Sequence, residues 1–143
     1  MRPNQINSCR LSAPQHARMR RGAAVVEFAV CLPILVLLIF GSIEASSMIF
    51  LKQSVNVAAY EAAREAIRNG RSNADATARA RNILDARGVQ SYAIRFPSGE
   101  SFDLDRGREI AAVVTAPSGP NSPLVGQFIS NRDVTARIVM LKQ

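Results

Sequence analysis

Few residues in this chain combine a reactive type with a setting that could use it, and the clearest is a single carboxylate. Glu27 is the one charged group between Ala23 and Ile43, a run of 21 residues. An acid near the end of an apolar, bilayer-length helix costs several kcal/mol unless it is protonated, hydrated or paired. Directly upstream stand Arg20, Arg21 and Gly22. A backbone cut after Gly22 places a new amino group on Ala23, four residues before Glu27, so that both signs of charge sit at the same end of the helix. Pairing then becomes available, within a molecule or between neighbours. Glycine suits such a cut, because a peptidase at a membrane surface must pass extended backbone close to its catalytic groups and a residue without Cβ permits that approach.

No other constellation offers chemistry of its own. The one histidine, His16, lies in the basic N-terminal stretch, and no Cys or acid cluster has metal-ligand or nucleophile–base spacing. The reading is therefore of a protein that is not an enzyme, with no catalytic residues, no metal and no cofactor. Gly70, Gly88, Gly99, Gly107, Gly119 and Gly126 are scattered as turn glycines, without a phosphate-loop pattern. Asp103 and Asp105 flanked by Arg106 and Arg108 read as a solvated turn rather than a cation site. Cys9 and Cys31 fall in different settings, one in the basic stretch and one in the apolar run, which argues against a disulfide. The bulky Val30 before Cys31 also argues against a lipoprotein signal.

A net charge of +7 raises nucleic acid as a partner, but position decides against it. Residues 1–22 hold Arg2, Arg10, Arg18, Arg20 and Arg21 and no acid, so the remainder carries only +2. Arginines stacked before an apolar run keep that flank in the cytoplasm, which explains the excess without nucleic acid.

These features need positioning elements, and the pattern supplies four segments. Residues 1–22, with Pro3, Pro14 and many amides among the arginines, read as a disordered basic cytoplasmic leader. Residues 23–51 read as a transmembrane helix, since about 20 residues at about 1.5 Å each cross the roughly 30 Å hydrocarbon core. A secretory signal is the rival, with Gly41–Ala45 and Ala45–Ser47 as possible cleavage sites, but its apolar region usually ends after about 7–15 residues. Residues 52–70 read as an amphipathic extension of the same helix. Val55, Ala58, Ala59, Ala62, Ala63, Ala66 and Ile67 recur at spacings of three and four, Glu61–Arg64 and Glu65–Arg68 pair at i,i+3, and Asn69-Gly70 makes the stop. Residues 71–143 read as a small α+β head. Ser72 to Asp75 starts a second helix that Gly88 ends, Tyr92, Ile94 and Phe96 alternate as in a strand, and Glu109–Ala116 and Val134–Leu141 read as strands. The expected fold class is thus α+β: a long N-terminal transmembrane and amphipathic helix, a small helix and a small antiparallel sheet. Pro117–Pro123, with three prolines in seven residues, reads as a loop, and Leu124–Ile129 as a helical turn.

Over residues 20–45 the sequence resembles a known family. Arg20-Arg21-Gly22-Ala23-Ala24-Val25-Val26-Glu27-Phe28-Ala29-Val30, Leu32-Pro33-Ile34-Leu35 and Phe40-Gly41-Ser42-Ile43-Glu44 are similar to the opening segment of TadE-like pseudopilins of tight-adherence (Flp) type IV pilus systems. The resemblance implies a pilin-like fold, cleavage after Gly22 by a membrane prepilin peptidase, and Glu27 as the fifth residue of the mature chain, beside Phe28. It also implies that Glu27 pairs with the Ala23 amine of an adjacent subunit. The implied role is that of a minor pilin or pseudopilin acting in assembly of a Tad-type pilus or related secretion apparatus. Its partners are then the inner membrane, the prepilin peptidase, other pilins and pseudopilins, and the Tad assembly platform. The helix would cross the bacterial inner membrane once, with its N-terminus cytoplasmic and its head periplasmic. Two features bear on the match. Met19 offers a second start just before the motif, and Pro33 removes one helix hydrogen bond, which membrane spans tolerate at the expense of a kink. Gly41 and Ala45 form a small-x-x-x-small pair suited to helix packing. The alternative is a signal-anchored periplasmic binding or scaffold module with no pilus role.

Overall fold

The computed structural model describes residues 16–123 and 132–142. The elements run α1 (His16–Ala66), α2 (Asn73–Ala86), β1 (Ala93–Arg95), a 3-10 turn at Ser101–Asp103, β2 (Glu109–Pro117), α3 (Ser118–Asn121) and β3 (Asp133–Leu141). The chain divides into two compact units, Met1–Ile39 and Phe40–Gln143, and the division falls inside α1. The arrangement is α+β, with a long apolar N-terminal helix, a further helix and a three-stranded antiparallel sheet.

In the first unit α1 begins at His16, seven residues before Ala23, so the end of the basic leader is helical. Ala17, Arg18, Met19, Arg20 and Arg21 are all strong helix formers and extend the turn upstream of the apolar run. The leader reading of residues 1–15 lies outside the described residues. Downstream the helix continues through Pro33. Val25, Phe28, Val30, Ile34, Leu37 and Leu38 point outward, Leu37 72% exposed. An apolar surface of this extent needs an apolar environment.

The second unit has its own core. Leu51, Val55, Ala58, Ala59, Ala62 and Ala63 of α1 pack with Ala80 and Leu84 of α2, Ala112, Val114 and Ala116 of β2, and Ala136 of β3. Alanine on the contact face lets the helix backbone approach the sheet closely, and all five alanines from Ala58 to Ala66 are fully buried. A smaller cluster, Ala66, Ala76 and Ile110 with Phe96 and Leu104 against it, closes one end.

The sheet order is β1-β2-β3, with Ile94 opposite Val114 and Val114 opposite Ala136. Tyr92, Ile94 and Phe96 are half-buried and alternate with exposed neighbours, as their sequence pattern requires.

Caps fix the ends of α2. Ser72 and Asp75 form a capping box, with the Asp75 N–H donating to Ser72 Oγ and the Ser72 N–H to Asp75 Oδ2. At the other end the Val89 N–H reaches the Leu84 carbonyl and the Gly88 N–H the Asp85 carbonyl, which is the Schellman arrangement. It requires a left-handed residue, supplied by Gly88 at φ 68°.

A second expectation, after the disorder read for residues 16–22, is corrected. The proline-rich stretch expected as a loop contains a helical turn, Ser118–Asn121. Pro120 lies in that first turn, where no helical N–H is needed, and Asn121 Nδ2 donates to the Pro117 carbonyl at 2.8 Å. The helical turn expected at Leu124–Ile129 lies outside the described residues.

Candidate functional site

The sequence singles out Gly22, Ala23, Glu27 and Phe28, all of which lie exposed in α1. Ala23 and Glu27 are one turn apart on the same helix face, about 6 Å along the axis. In the uncut chain the Ala23 nitrogen is a peptide nitrogen inside a helix. A cut before it would create an ammonium at i relative to a carboxylate at i+4.

A Cβ built on Gly22 meets nothing within 4 Å, so packing does not demand glycine at this position. A helical glycine there costs roughly 0.5–1 kcal/mol relative to alanine. Gly41 is likewise unconstrained by space, and Gly41 and Ala45 form an open strip on the surface of α1.

A second constellation lies wholly within the Phe40–Gln143 unit. Ser122 Oγ donates a hydrogen bond to Glu44 Oε1, joining residues 78 apart in sequence. Glu44 Oε2 is buried and has no hydrogen-bond partner among the described residues. Just beyond, a cavity of about 510 Å³ is lined by Ser46, Ser47, Phe50, Leu51, Val89 and Asn121, among others. Arg87 Nη1 donates to Ser54 Oγ at 3.4 Å. Gln90 and Asn121 exchange two hydrogen bonds of 2.7 and 2.9 Å. The Ser122–Glu44 and Arg87–Ser54 contacts tie the segment after α3 and the end of α2 to α1 where its apolar run gives way to the buried face, and the Gln90–Asn121 pair joins the segment after α2 to α3. Sequence reading noted Glu44 only as part of a family-like segment. The available signal was that it is the next acid after Glu27 along an apolar run.

Around the α1–α2 corner the charges are paired. Glu65 meets Arg68 at 3.0 Å and Arg71 at 3.1 Å, and Glu61 meets Arg64 and Arg79, each at 3.5 Å. The two i,i+3 pairs read from the sequence are therefore formed, and Arg71 and Arg79 join them across the turn. Hydrogen bonds from the Ser72 backbone and hydroxyl, with Arg71 nearby, hold the Asp75 carboxyl below its ordinary value. The Tyr92 hydroxyl donates to Asp85 Oδ1 at 2.6 Å, which pushes its pKa above the ordinary tyrosine value. Among the described residues no group of three or more His, Cys, Asp or Glu side chains is placed to hold a metal.

Among the described residues one apolar helix is long enough to cross a bilayer, with none of its apolar window buried, and ahead of a small α+β head it fits a single-pass membrane anchor. Residues 22–64 match the family described as TadE-like protein. The matched segment is less than half of the chain, and over it the chain is similar to that family. The match begins at Gly22 and covers most of α1. Comparison with curated proteins and with solved structures finds no match.

Proposed function

We propose that the protein is a minor pilin or pseudopilin of a Tad-type pilus or related secretion apparatus, cut after Gly22 by a prepilin peptidase and acting in assembly through its N-terminal helix. The observation that carries this reading is the Gly22–Phe28 segment, which opens the TadE-like match and presents a glycine that packing does not require five residues before a lone carboxylate. After the cut, the Ala23 ammonium and Glu27 would neutralise each other, on one helix or between adjacent subunits, and remove the penalty of an unpaired acid in lipid. Gly41 and Ala45 offer a flat strip for a neighbouring helix. The helix would lie in the inner membrane with its basic leader in the cytoplasm and its head in the periplasm. Its partners would be the peptidase, other pilins and the assembly platform, with no part for nucleic acid. The chemistry is performed on this protein rather than by it.

The test is the mature N-terminus, read by mass spectrometry from membranes with and without prepilin peptidase. A new terminus at Ala23 that depends on the peptidase is the expected result; a chain still beginning at Met1 or Met19 beside active peptidase overturns it. Glu27→Gln should leave cleavage largely intact and reduce incorporation or piliation. The alternative, a signal-anchored periplasmic scaffold, draws on the separate core of the Phe40–Gln143 unit and corresponds to an uncut chain.

A further inference from the structure

The α1–α2 corner stacks its charges in two layers. The Glu61 and Glu65 side chains lie beneath, 21% and 17% exposed, while those of Arg64, Arg68, Arg71 and Arg79 are 50–63% exposed. Each carboxylate oxygen of the two glutamates meets one arginine. A guanidinium carries five N–H donors, so most of them remain open to a further anion. The four arginines rim a groove of about 500 Å³ between α1 and α2. Asp75 is the one acid at that rim, and the outward surface is otherwise cationic.

The segment between β1 and β2 carries the opposite charge. Phe102, Asp103 and Asp105 are exposed there, Phe102 at 64%, more than any other large apolar side chain described beyond Leu51. Neither aspartate forms an ion pair among the described residues. Two anchors fix this segment across the end of the head. Ser101 Oγ donates to the Arg71 carbonyl and the Ser101 N–H to Asn73 Oδ1, each at 3.2 Å, which sets its root level with the corner. The Lys142 ammonium donates to the Ser101 and Phe102 carbonyls, which holds its tip beside the end of β3. None of these three exposed residues lines the groove of its own molecule.

We propose that Phe102, Asp103 and Asp105 of one copy dock in the arginine groove of a second copy of this chain, with the carboxylates between guanidinium groups and the ring against a guanidinium face. Both surfaces lie at the Ala66 end of α1. A rotation about an axis parallel to α1 therefore carries one onto the other and leaves both helices pointing the same way, as anchorage in one membrane requires. The contact joins unlike surfaces, so it repeats from copy to copy, closing a ring or, with a rise along the axis, extending as a helix. Single exposed ion pairs are weak. Several acting together, between copies concentrated in one membrane, make the contact sufficient. The proposal does not depend on cleavage at Gly22, and the mature N-terminus of the same membranes reports that reading separately.

The test uses two differently tagged full-length copies in native membranes, each with Cys9→Ser and Cys31→Ser to remove background thiols. One carries Arg106→Cys beside the aspartates and the other Ala78→Cys in the groove, so that every proposed contact is kept. A short bifunctional thiol reagent should join them with a yield roughly tenfold above that of Arg106→Cys with Arg95→Cys on β1. Asp103→Arg with Asp105→Arg in both copies should lower the yield by about tenfold, and so should Arg68→Glu with Arg79→Glu in both. Reversing the aspartates in the Arg106→Cys copy and the arginines in the Ala78→Cys copy should restore it, which no repair inside one molecule can do. Should the reversed groove fail to accumulate, Arg68→Ala with Arg79→Ala reads the same contact as a loss of about fivefold. A yield no higher than the Arg95 control, cross-linking to another protein only, yields unchanged by these substitutions, or reversed copies that accumulate without rejoining overturns the proposal.

Discussion

The two ends of α1 obey opposite rules. Near its start the side chains of Val25, Phe28, Leu37 and Leu38 are exposed and large; near its end Ala58, Ala59, Ala62, Ala63 and Ala66 are buried and small. One helix thus serves two environments, and its composition changes where the environment does. Bulk is favoured where the surroundings are fluid lipid that conforms to any shape. Alanine is favoured where the neighbour is a sheet whose close approach sets the thickness of the core. The serines lie at the transition, with Ser46, Ser47 and Ser54 each donating to the carbonyl four residues back, so that their hydroxyls remain satisfied where water is scarce.

That contrast can be broken in several places. The largest effect is expected at Leu84, fully buried against α1. Leu84→Ala should destabilise the head by about 2–5 kcal/mol, while Leu37→Ala should leave the same denaturant transition within about 0.5 kcal/mol. Urea denaturation of the detergent-solubilised chain, followed by circular dichroism, measures both, and a loss of similar size at Leu37 would erase the distinction between the two ends. Next, Ala62→Leu should cost about 1–3 kcal/mol by overpacking, whereas Ala45→Leu on the exposed strip should cost the head almost nothing. A smaller loss, about 1 kcal/mol, is expected for Ser72→Ala, which removes the cap of α2 and leaves α1 intact.

The smallest effect is the dependence on pH. Asp75 has a lowered pKa in the fold, so its contribution is present above the ordinary carboxylate value of 3.8 and is lost as pH falls through the folded value. Tyr92 is raised, so its contribution is present below its ordinary value of 10.0 and is lost as pH climbs through the folded one. The denaturation midpoint should be flat between these limits and sag at both ends. Asp75→Asn should remove the acid sag alone.

Periodicity made much of this fold legible before any coordinates. The stripe from Val55 to Ile67 gave the buried face of α1, Ser72 and Asp75 the start of α2, and the alternation of Tyr92, Ile94 and Phe96 the first strand. Each of these signals is local, written within a turn of helix or a few residues of strand. What escaped was non-local. Glu44 meets Ser122 across 78 residues, Asn73 Nδ2 donates to the Gly99 carbonyl at 2.8 Å, and Lys142 Nζ reaches the Ser101 carbonyl. Polar partners so far apart leave no period in the sequence. The helical turn at Ser118 escaped for a different reason, since three nearby prolines weigh toward a loop until one of them is seen to occupy a position where helices accept it. For the Gly22–Phe28 segment the residues and their spacing were legible, and the coordinates added that the glycine is helical and unconstrained by its neighbours.

The alanine face has a consequence for how the head answers temperature. Alanine gives up no rotamer freedom when it is buried, so ordering α1 against the sheet leaves the entropy of those side chains nearly untouched. It also covers little apolar area, and the heat-capacity change of unfolding scales with that area. A layer made from Ala58, Ala59, Ala62, Ala63, Ala112 and Ala116 therefore gives the head a shallow stability curve, low at its maximum but slow to fall as the cell warms or cools.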